Sequence, residues 1–366
     1  MPFADELLGA DEARALVRAI RAARPDTDAP ALAQAAESLA PLPLGARADL
    51  LRDALLDDVP GDHAALAAVV RRAALDPGFR GWLIWPVTLA VATRAADESE
   101  AAFDDGTALL AELTGRLTSE FAIRTLLRAD LDRALDHALA WTRAADPAVR
   151  RLASEGTRPY LPWAVRVPAL LREPQRTIPI LDALYRDPDE IVRRSVANHL
   201  NDLSRENAEL VTETAARWLA EPDATTASVV RHALRTLVKR GDAGALALLG
   251  FTGDALEVQG PRLSGAEVPF GGTIGFAGRV RNAGTVAARV AVDYVVFHRR
   301  ANGSQTSKTF KIAVRDLAPG ETLAIERRHS FRAITTRRYY PGAHAIALQV
   351  NGVVSEPAAF ELLAEA

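Results

Sequence analysis

Residues 146–156, DPAVRRLASEG, and residues 187–200, DPDEIVRRSVANHL, repeat one pattern: Asp-Pro, a short spacer, Val-Arg-Arg, then small residues. A weaker third copy, TTASVVRHALRTLVKRGD, starts at Thr225. The Val-Arg pairs fall at 149/150, 192/193 and 230/231, separated by 43 and 38 residues. Asp-Pro supplies a turn and a helix start, since a proline in the first helical turn has no needed N–H to lose. Val then faces inward, and the Arg stem is expected to cover the neighbouring repeat. A period of about 40–47 residues suits two-helix repeats of the HEAT or armadillo type. Such repeats stack into a curved solenoid with an extended concave face.

Outward from this stretch, the first 250 residues keep a helical pattern. Ala, Leu and Arg dominate, and Pro and Asp punctuate at RPDTDAPA, PLPLGARAD, DDVPGD and LDPGF. The pattern changes after Gly250. ARVAVDYVVFHRR, SKTFKIAVRDL, ETLAIERRHSF and AHAIALQVNG alternate apolar and polar residues and are bounded by Asn-Gly and Pro-Gly turns. About seven short strands in this segment predict an antiparallel β-sandwich of immunoglobulin type. The antibody cysteine pair is missing, so strand count alone carries that expectation. The expected organisation is a mainly α multidomain chain: a HEAT-like solenoid over 1–252, then an Ig-like β-sandwich over 253–366.

Composition narrows the function. A hydrophobic content of 49% and a charged content of 25% are those of a soluble globular protein. With no cysteine, disulfides and thiolate metal sites are excluded. The seven histidines show no HExxH or clustered spacing, and there is no Gly-rich phosphate loop or GxSxG, so no metal or cofactor is expected. The N-terminus lacks the basic and apolar regions of a signal peptide, and the run GWLIWPVTLAVATR is short and broken by Pro86. A cytoplasmic monomer without membrane contact is expected. Charge is uneven: 11 Arg and Lys against 19 Asp and Glu over 1–118, 19 against 18 over 119–253, and 14 against 10 over 254–366. The last two segments are those to search for an anionic partner.

The segment SVANHLNDLSR, 195–205, concentrates Asn198, His199, Asn201 and Asp202 at a predicted helix end. Counting from each Val-Arg pair, Glu155 and Asn198 occupy equivalent points of successive repeats. Asn198 and Asp202, four apart, share a helix face. Glu155, Asn198 and Asp202 can therefore converge on one groove wall, a candidate acid/base or cation-stabilising site. Each also has a plain reading: Asn198 and Asp202 as cap or turn formers, Glu155 as a solvated residue, Glu120 as a first-turn partner of a helix dipole, Trp163 as core. Basic residues give a second signal. Arg231, Arg235, Lys239 and Arg240 recur at about one turn, and SFRAITTRRYYPGAH sets Arg337 and Arg338 beside Tyr339 and Tyr340 in a loop. Dipole partners and a solvated hairpin are the alternatives there.

TSEFAIRTLL, EGTRPYLPWA, DPxxxVRRSVANHLNDLSR and LVKRGDAGALALLGF, in this order, resemble the AlkC branch of the AlkC/AlkD alkylpurine DNA glycosylases. The tail ITTRRYYPGAHAIALQVNG resembles the Ig-like extension of some AlkC proteins. The resemblance covers nearly the whole chain, most strongly from about residue 118 to 251. It implies a monofunctional glycosylase acting on alkylated double-stranded DNA. The expected substrates are cationic N3-alkylated bases, 3-methyladenine first and 3-methylcytosine second, without metal, cofactor or full flipping of the lesion. It places the acidic site at Glu120, Glu155 and Asp202 with Trp163 as aromatic neighbour. Phosphate contacts are expected from Arg158, Arg166, Arg205, Lys239 and Arg240, with Asn198 as an orienting neighbour and Arg337 and Arg338 reaching DNA from the β-domain.

The chemistry agrees. A base alkylated at N3 is cationic and leaves neutral, so no strong general acid is needed, and carboxylates steady the positive sugar left behind. Two other readings stay open: a non-catalytic HEAT/Ig scaffold that binds protein or DNA, and a lesion binder that has lost hydrolysis.

Overall fold

The computed structural model describes residues 2–251, 255–334 and 337–364. The division expected at 252/253 falls outside these residues. By internal contacts the chain forms two compact units, Met1–Ala233 and Leu234–Ala366.

The first unit is helical. Its helices are α1 Pro2–Leu7, α2 Ala10–Ala23, α3 Pro30–Glu37, α4 Leu44–Asp58, α5 His63–Ala73, α6 Ile84–Ala95, α7 Glu100–Thr114, α8 Ile123–Ala129, α9 Leu131–Trp141, α10 Pro147–Glu155, α11 Pro168–Arg172, α12 Ile178–Leu184, α13 Glu190–Leu203, α14 Ala208–Ala220 and α15 Thr226–Ala233. Successive repeats stack: α10 packs on α13, and α13 on α15. Leu152, Ala153, Val196, Leu200, Val229 and Ala233 are buried in this stack.

The Asp-Pro punctuation works through main-chain capping. Asp146 accepts from Ala148 N at 2.8 Å ahead of Pro147. One repeat later Asp187 accepts from Asp189 N at 2.8 Å, and Asp189 caps α13 through Ile191 N at 2.7 Å. The arginine of Val-Arg does more than cover apolar surface with its stem. Arg150 donates to the carbonyls of Ala144 and Ala145 at 2.9 and 2.8 Å and to Asp187 at 2.6 Å. Arg193 repeats the move on the carbonyls of Asp187 and Pro188 at 2.6 and 2.8 Å. Each therefore closes the turn that precedes its own helix, and Arg150 also staples the next repeat. Val192 and Val230 are buried as expected, whereas Val149 is half-buried.

The second unit keeps two helices, α16 Arg235–Arg240 and α17 Ala243–Leu248, with strands β1 Leu256–Leu263, β2 Glu267–Val268, β3 Thr273–Asn282, β4 Ala288–Arg299, β5 Gln305–Leu317, β6 Thr322–Ser330, β7 Gly342–Val350, β8 Val353–Val354 and β9 Ala358–Leu362. One sheet runs β1-β3-β6; the other runs β2-β9-β7-β4-β5 with β8 on β7. The β2/β9 pair is parallel and the other strand pairs are antiparallel. Phe276, Val280 and Ile325 from one sheet share a core with Val292, Val296, Ile346 and Leu348 from the other. Gly241, which ends α16 at φ +77, meets Gly352, φ +81, of the β7–β8 turn backbone to backbone. A Cβ at Gly241 would lie 2.6 Å from the Gly352 Cα. Among the described residues no helix is long and apolar enough to cross a membrane.

Three histidines sit inside this sandwich. The His298 ring lies 5.9 Å from that of His329 and 5.8 Å from that of His344, among Phe331, Tyr339 and Phe360. Neither ring nitrogen of His298 has a hydrogen-bond partner among the described residues. Burial, reinforced by the nearby Arg337 charge, pulls His298 down to about 3 and His329 to about 4, and burial lowers His344. The folded rings are neutral, while the unfolded chain takes up protons below its ordinary value of 6.5. Stability is therefore full above about pH 6.5 and falls as the pH drops from there toward 4. His298 and His329 each subtract up to about 1.4 kcal/mol per pH unit in that window. Thermal melts between pH 8 and 5 should show this loss, and His298→Phe should flatten its slope.

Candidate functional site

Glu120, Glu155 and Asp202 come from three different places in the first unit. Glu120 sits in the turn before α8, held by Thr118, whose Oγ1 donates to its Oε2 at 2.9 Å. Glu155 ends α10, and Asp202 lies in the last turn of α13. All three are buried. Because α10 and α13 are neighbours, Glu155 and Asp202 meet across one guanidinium. Arg158 donates from Nη1 to Glu155 Oε1 at 2.6 Å and from Nε to Asp202 Oδ2 at 2.9 Å. A second arginine extends the chain: Arg151 pairs with Glu120 Oε2 at 2.8 Å and lies 3.8 Å from Glu155 Oε1. Ser195 Oγ donates to Glu155 Oε2 at 2.6 Å. The alternating series Glu120–Arg151–Glu155–Arg158–Asp202 leaves one net negative charge.

The geometry sets Arg158, expected as a phosphate contact, between two carboxylates. It is 8% exposed and engaged by two carboxylates. Burial disfavours its charge, but Glu155 and Asp202 outweigh that and hold its proton more tightly than in an ordinary arginine. His199 is fully buried, with Nδ1 2.9 Å from the Ser154 carbonyl, and burial lowers it to about 3, so it is neutral and no acid–base partner of Asp202. Asn198 is half-buried, its Oδ1 3.0 Å from His232 Nε2, which ties α13 to α15.

The loop after α10 carries the aromatic residues. Trp163 is 63% exposed and holds φ +62, a left-handed backbone that a bulky side chain adopts only where its surroundings impose it. Arg124 braces the loop that carries Trp163. Fully buried, it donates to the carbonyls of Gly156 at 3.1 Å, Arg158 at 2.8 Å and Val165, spanning the loop that contains Trp163. Burial, then repulsion from Arg166 and Arg158, lowers Arg124 to about 10. Arg166 and Arg205, both exposed, place their guanidinium carbons 4.8 and 4.1 Å from the Tyr160 ring centre, and the Tyr160 hydroxyl donates to Glu206. Asp202, Pro159, Tyr160 and Glu206 line an opening of about 10 Å³, room for about one water.

Lys239 and Arg240 are exposed in the last turn of α16 and belong to the second unit. In that unit Arg337 is half-buried. Arg338 is exposed, with its guanidinium 5.4 Å from the Tyr340 ring centre. Tyr339, read as a loop aromatic, is 9% exposed and packs on Phe331 and His298 instead. Among the described residues no group of three or more His, Asp or Glu is placed to hold a metal ion.

Arg124, Arg151 and Ser195 escaped the reading of the sequence. Arg124 could have been noticed as a charge inside the apolar stretch FAIRTLL. Arg151 is the third residue of the Val-Arg-Arg repeat, where Arg194 is its exposed counterpart, so periodicity hides its special role.

Residues 113–237 match the family described as DNA alkylation repair enzyme, and residues 257–364 match the C-terminal Ig-like domain of uncharacterised protein YhaZ. The chain is similar to the uncharacterized protein YhaZ of Bacillus subtilis (strain 168), with 35% identity over 254 residues, 69% of this chain and 70% of YhaZ. Among solved structures it is similar to the Pseudomonas fluorescens alkylpurine DNA glycosylase AlkC bound to DNA containing an abasic site analog. That match has 32% identity and a TM-score of 0.83, and covers 99% of both chains.

Gly156 is where this site has no spare room. A Cβ there would lie 2.6 Å from Ile123 Cγ2 and 3.0 Å from the Leu152 carbonyl. Gly156→Ala should cost about 1–3 kcal/mol by overpacking, read as a lower midpoint in denaturant unfolding.

Proposed function

The chain belongs to the DNA alkylation repair enzyme family, in the AlkC branch that joins a helical solenoid to an Ig-like domain, and from that premise we propose a monofunctional DNA glycosylase. Its substrates are cationic N3-alkylated bases in double-stranded DNA, 3-methyladenine first and 3-methylcytosine second. The convergence of Glu120, Glu155 and Asp202, with Asp202 lining an opening the size of one water, carries this reading.

The bond that breaks joins C1′ of the deoxyribose to the ring nitrogen of the base. Its electron pair leaves with the base, which the alkyl group has made cationic, so the base departs neutral. Positive charge grows on the sugar, and carboxylates already in place favour that charge without reorganising. Water adds to C1′, and Asp202 takes its proton, leaving an abasic sugar and the free base. A desolvated cationic nucleotide beside Trp163 gains cation–π attraction of about 1–2 kcal/mol. The small opening beside Asp202 favours a lesion that stays close to the helix rather than one swallowed by a pocket. Buried carboxylates repel phosphates, so the duplex needs cations, and Arg166, Arg205, Lys239, Arg240, Arg337 and Arg338 supply them, with Asn198 orienting the site.

Two tests follow from this arrangement. Incubation with methylated duplex DNA should release 3-methyladenine, and Asp202→Asn should slow release by about 100-fold or more; equal rates would remove Asp202 from the chemistry, and no release by the unaltered protein would favour a scaffold. Arg337→Ala with Arg338→Ala should weaken duplex binding and reduce the slope of log affinity against log salt by about 1–2.

A further inference from the structure

Arg158 stands where a cation looks adverse, inside a site that is to stabilise another cation. Its position resolves the conflict. The guanidinium takes one oxygen from each of two carboxylates, Glu155 Oε1 at 2.6 Å and Asp202 Oδ2 at 2.9 Å. Glu155 has its other oxygen on Ser195 at 2.6 Å, so both of its oxygens are committed within the protein. Asp202 gives one oxygen to Arg158 and lines the small opening. The carbonyl of Arg158 is in turn fixed by the fully buried Arg124 at 2.8 Å. A guanidinium fork so anchored sets both the direction and the distance of a carboxylate, which a mobile ammonium does less well.

We propose that Arg158 is a positioning residue. With Glu155 and Ser195 it forms a bracket that crosses the α10–α13 boundary and aims Asp202 Oδ1 at the reacting sugar, and it makes no contact with DNA. This rests on the glycosylase reading. The bracket also lets Glu155 and Asp202 share one buried place, since without it they would repel one another and draw in water. Of the four groups, only Asp202 touches substrate.

The test uses the full-length protein, a duplex oligonucleotide treated with a methylating agent, and the variants Arg158→Gln, Arg158→Lys, Ser195→Ala and Asp202→Asn. At saturating enzyme, Arg158→Gln is expected to lower the base-release rate on the order of 100-fold, the effect of a misaimed group. Its half-saturation and salt slope should stay those of the unaltered protein, and Arg158→Lys should recover about tenfold. If Arg158→Gln instead weakens binding, lowers the salt slope by about 1 and keeps the saturating rate, Arg158 is a phosphate contact and the proposal is overturned. An unchanged rate with unchanged binding overturns it equally. Should Arg158→Gln fail to fold, Ser195→Ala removes a bracket contact without removing a charge. About tenfold slower release at an unchanged salt slope supports the bracket, and a rate equal to the unaltered protein's overturns it. Asp202→Asn separates the two levels: full activity there sinks the glycosylase role of Asp202 itself, whereas loss there with an unaffected Arg158→Gln sinks only the bracket.

Discussion

The ion pair that reaches across the α10–α13 boundary, one guanidinium between Glu155 and Asp202, is the constraint on which the site depends. Two buried carboxylates on neighbouring helices would push those helices apart, and shielding them with water would loosen the stack. A buried arginine turns the same charges into a tie. Packing and chemistry are thereby coupled. The repeat that stacks α13 on α10 also delivers Asp202, and the turn after α10 delivers the arginine that holds it. The second tie, Arg151 to Glu120, carries the arrangement one element further back, to the turn before α8.

Much of this was legible as periodicity. Asp-Pro followed by Val-Arg-Arg marks the helix starts to within two residues, with Asp146 capping α10 directly and Asp189, two residues after Asp187, capping α13, because capping is a local effect. The strands of the second unit were equally readable from alternation and turn residues. The convergence of Glu155 and Asp202 on one wall followed from counting within repeats. The pairing of Arg158 with two carboxylates did not follow, because a basic residue beside a wall expected to bind DNA reads as a phosphate contact until its burial is known. Arg124 and Arg151 were missed for related reasons. One looks like a misplaced charge in a helix, and the other like an ordinary member of a repeat. The fate of a charged side chain depends on what the fold packs around it, and that is long-range information.

His199 makes the same point in reverse. Sequence proximity sets it three residues from Asp202, in a segment dense with polar groups. The structure spends it on the Ser154 carbonyl, fully buried and neutral. SVANHLNDLSR therefore mixes two kinds of polar residue. His199 and Ser195 serve the stack between repeats, Asn198 ties α13 to α15 through His232, and Asp202, paired with Arg158, lines the small opening.

The meeting of Gly241 with Gly352 has a practical outcome. The two backbones touch with no clearance, so α16 rides on the β7–β8 turn as a fitted joint, and neither position tolerates even a methyl group. A fragment cut at Leu256, where the first strand begins, would strip off that joint and expose the face beneath it. A fragment that is to keep the joint must therefore retain α16, which begins at Arg235.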